Sequence, residues 1–369
     1  MVRKIPLYQK DGSDMTQKSN PKFRQPAEWE LHRACWLAWP SHADLWQEDL
    51  PVVQAEFTAL CRAIADPGTG KAPQEKLEIL VCDNGGRAAA AGALGDLPVR
   101  FHQIPFGDIW LRDTAPIFVT SPQGDLAATR FCFNGWGGKY NLPGDDAVAS
   151  RISDAFHGEK LAYSWVLEGG SIEVDGEGTC LTSRQCLLNP NRNPNLSQTE
   201  IETRLKESLG ITKILWLQDG LLNDHTDGHI DTIARFAAPG VVLCMTPTTH
   251  DDPNRPVLEQ IARDLEGFTD ARDRKLKVIK IPSPGMVTNS QGSILPASYL
   301  NFYLANHTVI VPTYGVEADQ AAVRAISECF PQRRTLGLAA KTILSGGGAF
   351  HCITQQEPLV PMAFQERSR

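Results

Sequence analysis

The chain has 369 residues, 42% of them apolar and 21% charged, the balance of a soluble globular protein with enough length to bury a substantial core. That length allows two or three ordinary domains or one large α/β domain. A formal net charge of −7 argues against a nucleic acid or an acidic membrane as partner and is compatible with a cationic ligand.

In chain order, residues 1–25 are polar and rich in Lys, Gln, Ser and Asp, so they are expected to form a flexible leader. They contain no apolar core of the kind a secretory signal needs, and no later run is long and apolar enough to cross a bilayer. Nine cysteines are scattered from Cys35 to Cys352 with no Cys-x-x-Cys pair, which points to free thiols and a cytoplasmic location. Helical periodicity predicts helices over Leu50 to Ile64, Thr199 to Leu209 and Asp319 to Cys329. Short β-branched runs predict strands at Leu77 to Val81, Ile117 to Val119, Gly170 to Val174 and Lys213 to Leu217, then at Val241 to Met245, Leu276 to Ile281 and Thr308 to Pro312. The alternation is that of an α/β fold, and no linker divides the chain after Pro26.

Polar clusters interrupt this pattern. Trp110-Leu111-Arg112-Asp113 precedes a strand, and Glu168-Gly169-Gly170-Ser171 opens another. Each alone reads as a turn or a surface ion pair. Asp224 to Asp231 holds three Asp and two His in eight residues, which is hard to place as solvated surface. His225, Asp227, His229 and Asp231 could ligate a metal, but a zincin spacing is missing because Thr226 follows the first His and Gly228 disfavours helix. Alternatively, His229 and Asp231, two apart, project from one side of a strand into a common cleft.

Cys352 follows Gly346-Gly347-Gly348, a stretch whose backbone freedom suits a tight loop presenting a side chain. By itself it reads more simply as a small buried hydrophobe. A Cys, a His and a carboxylate form the generic arrangement of covalent catalysis, yet the surplus acids here disfavour a thiolate. They make sense if the electrophile is a cation such as guanidinium, which matches carboxylates in bidentate fashion and lowers the thiol pKa on arrival.

These residues together resemble the agmatine deiminases, in the guanidine-modifying superfamily, relatives of the Porphyromonas-type peptidylarginine deiminases. The resemblance runs from about Pro26 to Gln356. It includes Pro26-Ala27-Glu28-Trp29-Glu30-Leu31-His32, the Trp110 and Glu168 clusters, Asn189-Pro190-Asn191-Arg192-Asn193-Pro194, Gly228-His229-Ile230-Asp231, and the glycines with His351-Cys352-Ile353-Thr354-Gln355-Gln356. It implies a five-bladed pseudo-symmetric α/β propeller (the pentein fold) of ββαβ-type repeats, with 26–369 as one catalytic domain. It further implies Cys352 as nucleophile, His229 as acid/base, Glu168 as the partner of that His, and Asp113 and Asp231 as the guanidinium clamp. Trp110 and Gly347 would lie against substrate. The implied reaction is agmatine plus water to N-carbamoylputrescine and ammonia, a step of polyamine biosynthesis toward putrescine, without metal or organic cofactor, in a homo-oligomer such as a dimer. Ala115 and Ala349-Phe350 depart from the family pattern beside implied site residues. The rival readings are a deiminase of another arginine derivative or of peptidyl-arginine, a metallohydrolase using His225, Asp227, His229 and Asp231, and a non-catalytic guanidine or polyamine binder.

Overall fold

The computed structural model describes residues 22–360. Five small sheets carry the described residues, and four follow one plan. Two strands pair antiparallel, a helix crosses over, and a third strand returns parallel to the second. The sheet of Ile117–Thr120, Leu126–Cys132 and Glu159–Val166 is bridged by helix Asp145–Ala155. Strands Ile172–Val174, Thr179–Ser183 and Lys213–Leu217 are bridged by Gln198–Leu209. Arg255–Gly267 links Val241–Thr246 to Lys277–Pro282, beside the first strand Ala234–Ala238. Asp319–Cys329 links Thr308–Thr313 to Arg334–Ala339, beside Tyr303–Leu304.

The remaining sheet joins the two ends of the chain. His32–Ala38 pairs parallel with Lys76–Val81 across helix Leu50–Ile64, and Val99–Gln103 adds a further parallel strand. Its antiparallel first strand comes from the far end, Gln355–Pro358. This strand closes the ring and sets Cys352 three residues before it. The fold is the five-bladed α/β propeller that the family resemblance implies.

The burial gradient explains why the site is central. First strands such as Ile172–Val174 and Gln355–Pro358 are buried throughout, whereas the outermost strands Val99–Gln103 and Arg334–Ala339 are half open to solvent. Neighbouring first strands touch, Ile117–Thr120 against Gln355–Pro358 and Ile172–Val174 against Ala234–Ala238. Helices cover the outer faces. In Leu50–Ile64, Val53, Phe57, Leu60 and Ile64 recur at helical spacing and are buried. Fully burying Phe57 stabilises the fold by about 2–3 kcal/mol. Helix Gln198–Leu209 starts at a capping box of Ser197 and Glu200 and stops at Gly210 in the left-handed region.

Most expected ends fall within a residue of the observed ones, and two places depart further. The leader 1–25 lies outside the described residues as far as residue 21, but residues 22–25 already pack: Phe23 is buried and Arg24 bridges to Thr120 through both backbone groups. The strand expected from Gly170 begins at Ile172, because Gly169–Ser171 forms a 3-10 turn tied by the Ser171 hydroxyl donating to the Glu168 carbonyl at 2.6 Å.

Candidate active site

The segments leading into the five first strands all point to the middle of the ring. Asp113 lies in the helical turn Leu111–Thr114 ahead of Ile117–Thr120, and Glu168 directly precedes the turn ahead of Ile172–Val174. His229 and Asp231 precede Ala234–Ala238, Asn301 precedes Tyr303–Leu304, and Cys352 precedes Gln355–Pro358. One position in the blade thus supplies every one of these side chains. The expectation that His229 and Asp231 share one side of a strand is corrected. Ile230–Thr232 is a 3-10 turn with His229 as its N-cap, and the turn, in place of strand alternation, brings both residues inward.

The site has two histidine systems. On one side His229 Nε2 meets Glu168 Oε2 at 3.2 Å, and Arg192 Nε donates to both Glu168 oxygens at 2.8 and 3.1 Å. Arg192 is itself held by Asp227 at 2.6 Å and by the Thr226 carbonyl at 2.9 Å. Among the described residues His229 Nδ1 has no hydrogen-bond partner, and it lies 3.8 Å from Asp113 Oδ1. Asp113 accepts from the Gly170 N–H at 2.9 Å and from the Trp136 indole at 2.8 Å. A Cβ on Gly170 would stand 2.5 Å from His229 Nδ1, so only glycine fits there. On the other side His351 Nδ1 meets Asp231 Oδ2 at 2.7 Å, while its Nε2 meets Glu28 Oε2 at 2.8 Å. Glu28 is anchored in turn by Arg235 at 2.7 Å. Asp231 Oδ1 is buried without a partner among the described residues.

Cys352 Sγ lies 3.6 Å from Asp231 Oδ2 and accepts from the Asn301 amide at 3.1 Å. Burial, then Asp231 and Asp113, push its thiol well above the ordinary cysteine range. Burial opposes the charged form of His229, but Asp113, Cys186 and Glu168 outweigh it and hold the imidazolium well above the usual histidine range. Burial opposes ionisation of Glu168 as well, yet His229 and Arg192 lower it. Asp231 is lowered in the same way, with His351 outweighing burial. Burial, with Glu168 and Asp231 nearby, raises Asp113 despite His229. These surroundings favour a neutral Cys352 thiol and a His229 imidazolium, with ionised Glu168 and Asp231.

A cleft of about 290 Å³ leads to Cys352 and Asp113, walled by Leu45, Trp46, Trp110, Trp136, Leu142 and the glycine loop. Trp110 and Gly347 line it. Gly347 has φ +116, a region that favours glycine, and a Cβ on Gly348 would crowd Cys352 Cβ at 2.8 Å. Asp108 accepts from Trp46 at 3.0 Å and Trp110 at 2.7 Å, which fixes both indoles. Neither Ala115 nor Ala349-Phe350 lines the cleft, so the departures from the family pattern do not touch it. Of the described residues no Lys or Arg lines it either; Arg112 and Arg235 are buried in the scaffold, on Gln356 and Glu28 respectively.

The four residues of the rival metal reading, His225, Asp227, His229 and Asp231, do not assemble into one set. His225 stacks on Tyr140, Asp227 serves Arg192 and Lys139, and Asp231 serves His351. The grouping of ligand-type atoms found among the described residues is Glu168, Cys186 and His229, and there the Arg192 guanidinium already occupies Glu168. Sequence reading missed Asn301, which sits in an apolar stretch without polar signal. It also gave no role to Arg192 and His351, although both lie in motifs it had singled out. Of the other eight cysteines, Cys35, Cys61, Cys180, Cys186 and Cys244 are buried, whereas Cys132 is exposed.

A model of the Porphyromonas-type peptidyl-arginine deiminase family matches residues 24–358. Agmatine deiminase of Pseudomonas aeruginosa is 38% identical over 362 residues, covering 91% of this chain and 95% of its own. The solved agmatine deiminase of Enterococcus faecalis superimposes with a TM-score of 0.85 at 34% identity, over 91% of this chain and 96% of that one. The substrate-bound agmatine deiminase of C. jejuni gives 0.82 at 28%, over 92% and 97%.

Proposed function

The chain belongs to the agmatine deiminase family within the Porphyromonas-type peptidyl-arginine deiminases, and on that premise we propose that it hydrolyses agmatine to N-carbamoylputrescine and ammonia. The observation that carries this reading is the pairing of a buried thiol with two carboxylates, Asp113 and Asp231, that both oppose its ionisation. Such a thiol is inert until a cation neutralises the acids. A guanidinium clamped by Asp113 and Asp231 does so, and the thiol proton leaves to solvent.

The Cys352 thiolate then attacks the central carbon, forming a C–S bond. His229, charged and held by Glu168, gives its proton to the departing nitrogen, the C–N bond breaks and ammonia leaves. An S-linked amidino intermediate remains. His229, now neutral, takes a proton from water; the oxygen attacks the same carbon, the C–S bond breaks with sulfur leaving as thiolate, and the hydroxyl proton then passes to that sulfur, so that the neutral ureido product departs and the thiol is restored.

What supports agmatine over arginine is the lining of the cleft. A substrate carboxylate calls for an Arg or Lys, whereas Asp49 and Asp108 among the indoles suit an alkyl chain ending in ammonium. Comparing kcat/KM on agmatine, arginine and a peptide ending in arginine tests this, with agmatine expected to be strongly preferred; equal rates on the peptide would reject it. Cytoplasmic location, residues 26–369 as one catalytic domain, and assembly as a homo-oligomer, in its simplest form a dimer, belong to the same proposal. Among the described residues no helix is long and apolar enough to cross a membrane.

A further inference from the structure

Four blades deliver the side chains already discussed, each from the segment entering its first strand. The corresponding segment of the blade Tyr303–Leu304, Thr308–Thr313 and Arg334–Ala339 ends at Asn301, 2% exposed, and its side chain reaches the sulfur. The orientation of its amide is set by its surroundings. Asn301 Oδ1 accepts from the backbone N–H groups of Ala349 at 3.1 Å, His351 at 3.1 Å and Cys352 at 3.3 Å. Only the oxygen can accept three N–H donors, so the nitrogen must be the atom that faces Cys352 Sγ at 3.1 Å.

We propose that Asn301 is a catalytic residue whose side-chain N–H donates to the Cys352 sulfur and stabilises it as thiolate, both before attack and when the C–S bond breaks. The assignment rests on Cys352 being the nucleophile. The charged and titratable groups facing that sulfur are Asp231 and Asp113, which oppose the thiolate, with Tyr314 nearby and His229 across the site. Tyr314 cannot take the donor role, because its hydroxyl donates to the Ser298 carbonyl at 2.8 Å. An N–H···S bond gains strength as the sulfur becomes an anion, so the Asn301 contact is worth more to the thiolate than to the thiol. The three backbone bonds hold the loop, while the fourth acts on the reacting atom.

Two substitutions separate these roles. Asn301→Asp keeps an oxygen for the three backbone N–H groups and loses the donor, whereas Asn301→Ala loses both. For the full chain, kcat and KM on agmatine are measured together with the pH dependence of Cys352 alkylation by iodoacetamide, read by peptide mass spectrometry, and near-UV circular dichroism checks packing. The expected result is that both variants lose about a hundredfold in kcat, and that at pH 8 alkylation slows about tenfold or more as its midpoint moves up. In Asn301→Asp, KM is expected to change far less than kcat. Full kcat and an unmoved alkylation midpoint in Asn301→Asp would overturn the proposal and leave Asn301 as a loop anchor; if that variant fails to fold, the same unmoved midpoint in Asn301→Ala overturns it. Cys352→Ser serves as the control: activity retained there would reject the nucleophile itself, an outcome distinct from failure of the Asn301 role alone.

Discussion

The two buried histidines of the site stand in opposite conditions. His351 has both ring nitrogens against carboxylates, Asp231 at 2.7 Å and Glu28 at 2.8 Å, and Glu28 is pinned by Arg235. His229 has one nitrogen on Glu168 at 3.2 Å, while the other is buried with no hydrogen-bond partner among the described residues, 3.8 Å from Asp113. A ring engaged on both sides has nowhere to send a proton without breaking a hydrogen bond, whereas a ring with one free nitrogen can exchange a proton with a ligand placed between it and Asp113. The contrast separates a structural imidazole from a reactive one. In the proposed mechanism His229 moves the proton and His351 sets the aim of Asp231.

That contrast can be broken at several points. The largest effect is expected from His229→Asn, which removes the proton carrier and lowers kcat by about 10²- to 10⁴-fold. If this variant kept its activity while His351→Asn did not, the two assignments would be exchanged. His351→Asn is expected to cost less, about ten- to a hundredfold in kcat/KM, because a tilted Asp231 misplaces the substrate without removing a reacting group. Steady-state kinetics should show much of that loss as a raised KM.

Stability against pH sharpens the same comparison. The folded-state pKa of Glu28 is well below the ordinary range, with Arg235 and His351 outweighing burial, and that of Asp231 is lowered by His351. A depressed carboxylate contributes stability that is present above its unfolded pKa of about 4 and is lost as pH falls through the folded value. Melting temperature should therefore fall steeply in acid, and more gently in Glu28→Gln, whose neutral side chain no longer titrates. His229 has the opposite sign. Its raised pKa stabilises the fold below the unfolded histidine value and loses that contribution as pH rises through the folded one. The smallest effect lies far from the ring centre. Ser197→Ala removes the cap of helix Gln198–Leu209 and is expected to cost about 1 kcal/mol in denaturant unfolding, with kcat unchanged.

How much was legible in the sequence follows from what each part of the chain must satisfy locally. Helix Leu50–Ile64 and strand Lys213–Leu217 emerge with their observed ends, because apolar periodicity and flanking residues decide them. The strand Gln355–Pro358 was not recognised; Gln355, Gln356 and Glu357 look exposed in sequence but are buried, with Gln355 and Gln356 on Arg112 and Glu357 on Trp36 and Arg33. Closure of a ring by the chain's far end is a long-range event that no local pattern encodes. Cys352, His229, Glu168, Asp113 and Asp231 stood out as polar residues beside glycines and aromatics. Asn301 did not, since Leu300 and Phe302 flank it and its partners lie some fifty positions away.

The central claim is that Cys352 forms a covalent bond to a guanidinium carbon that Asp113 and Asp231 have first clamped. Rapid acid quenching of the protein during turnover of agmatine, followed by mass spectrometry of the peptide bearing Cys352, tests it most directly. The account expects an amidino adduct on that cysteine, appearing with substrate and disappearing as it is consumed. Sustained release of ammonia with Cys352 unmodified, together with full activity in Cys352→Ala, would contradict it.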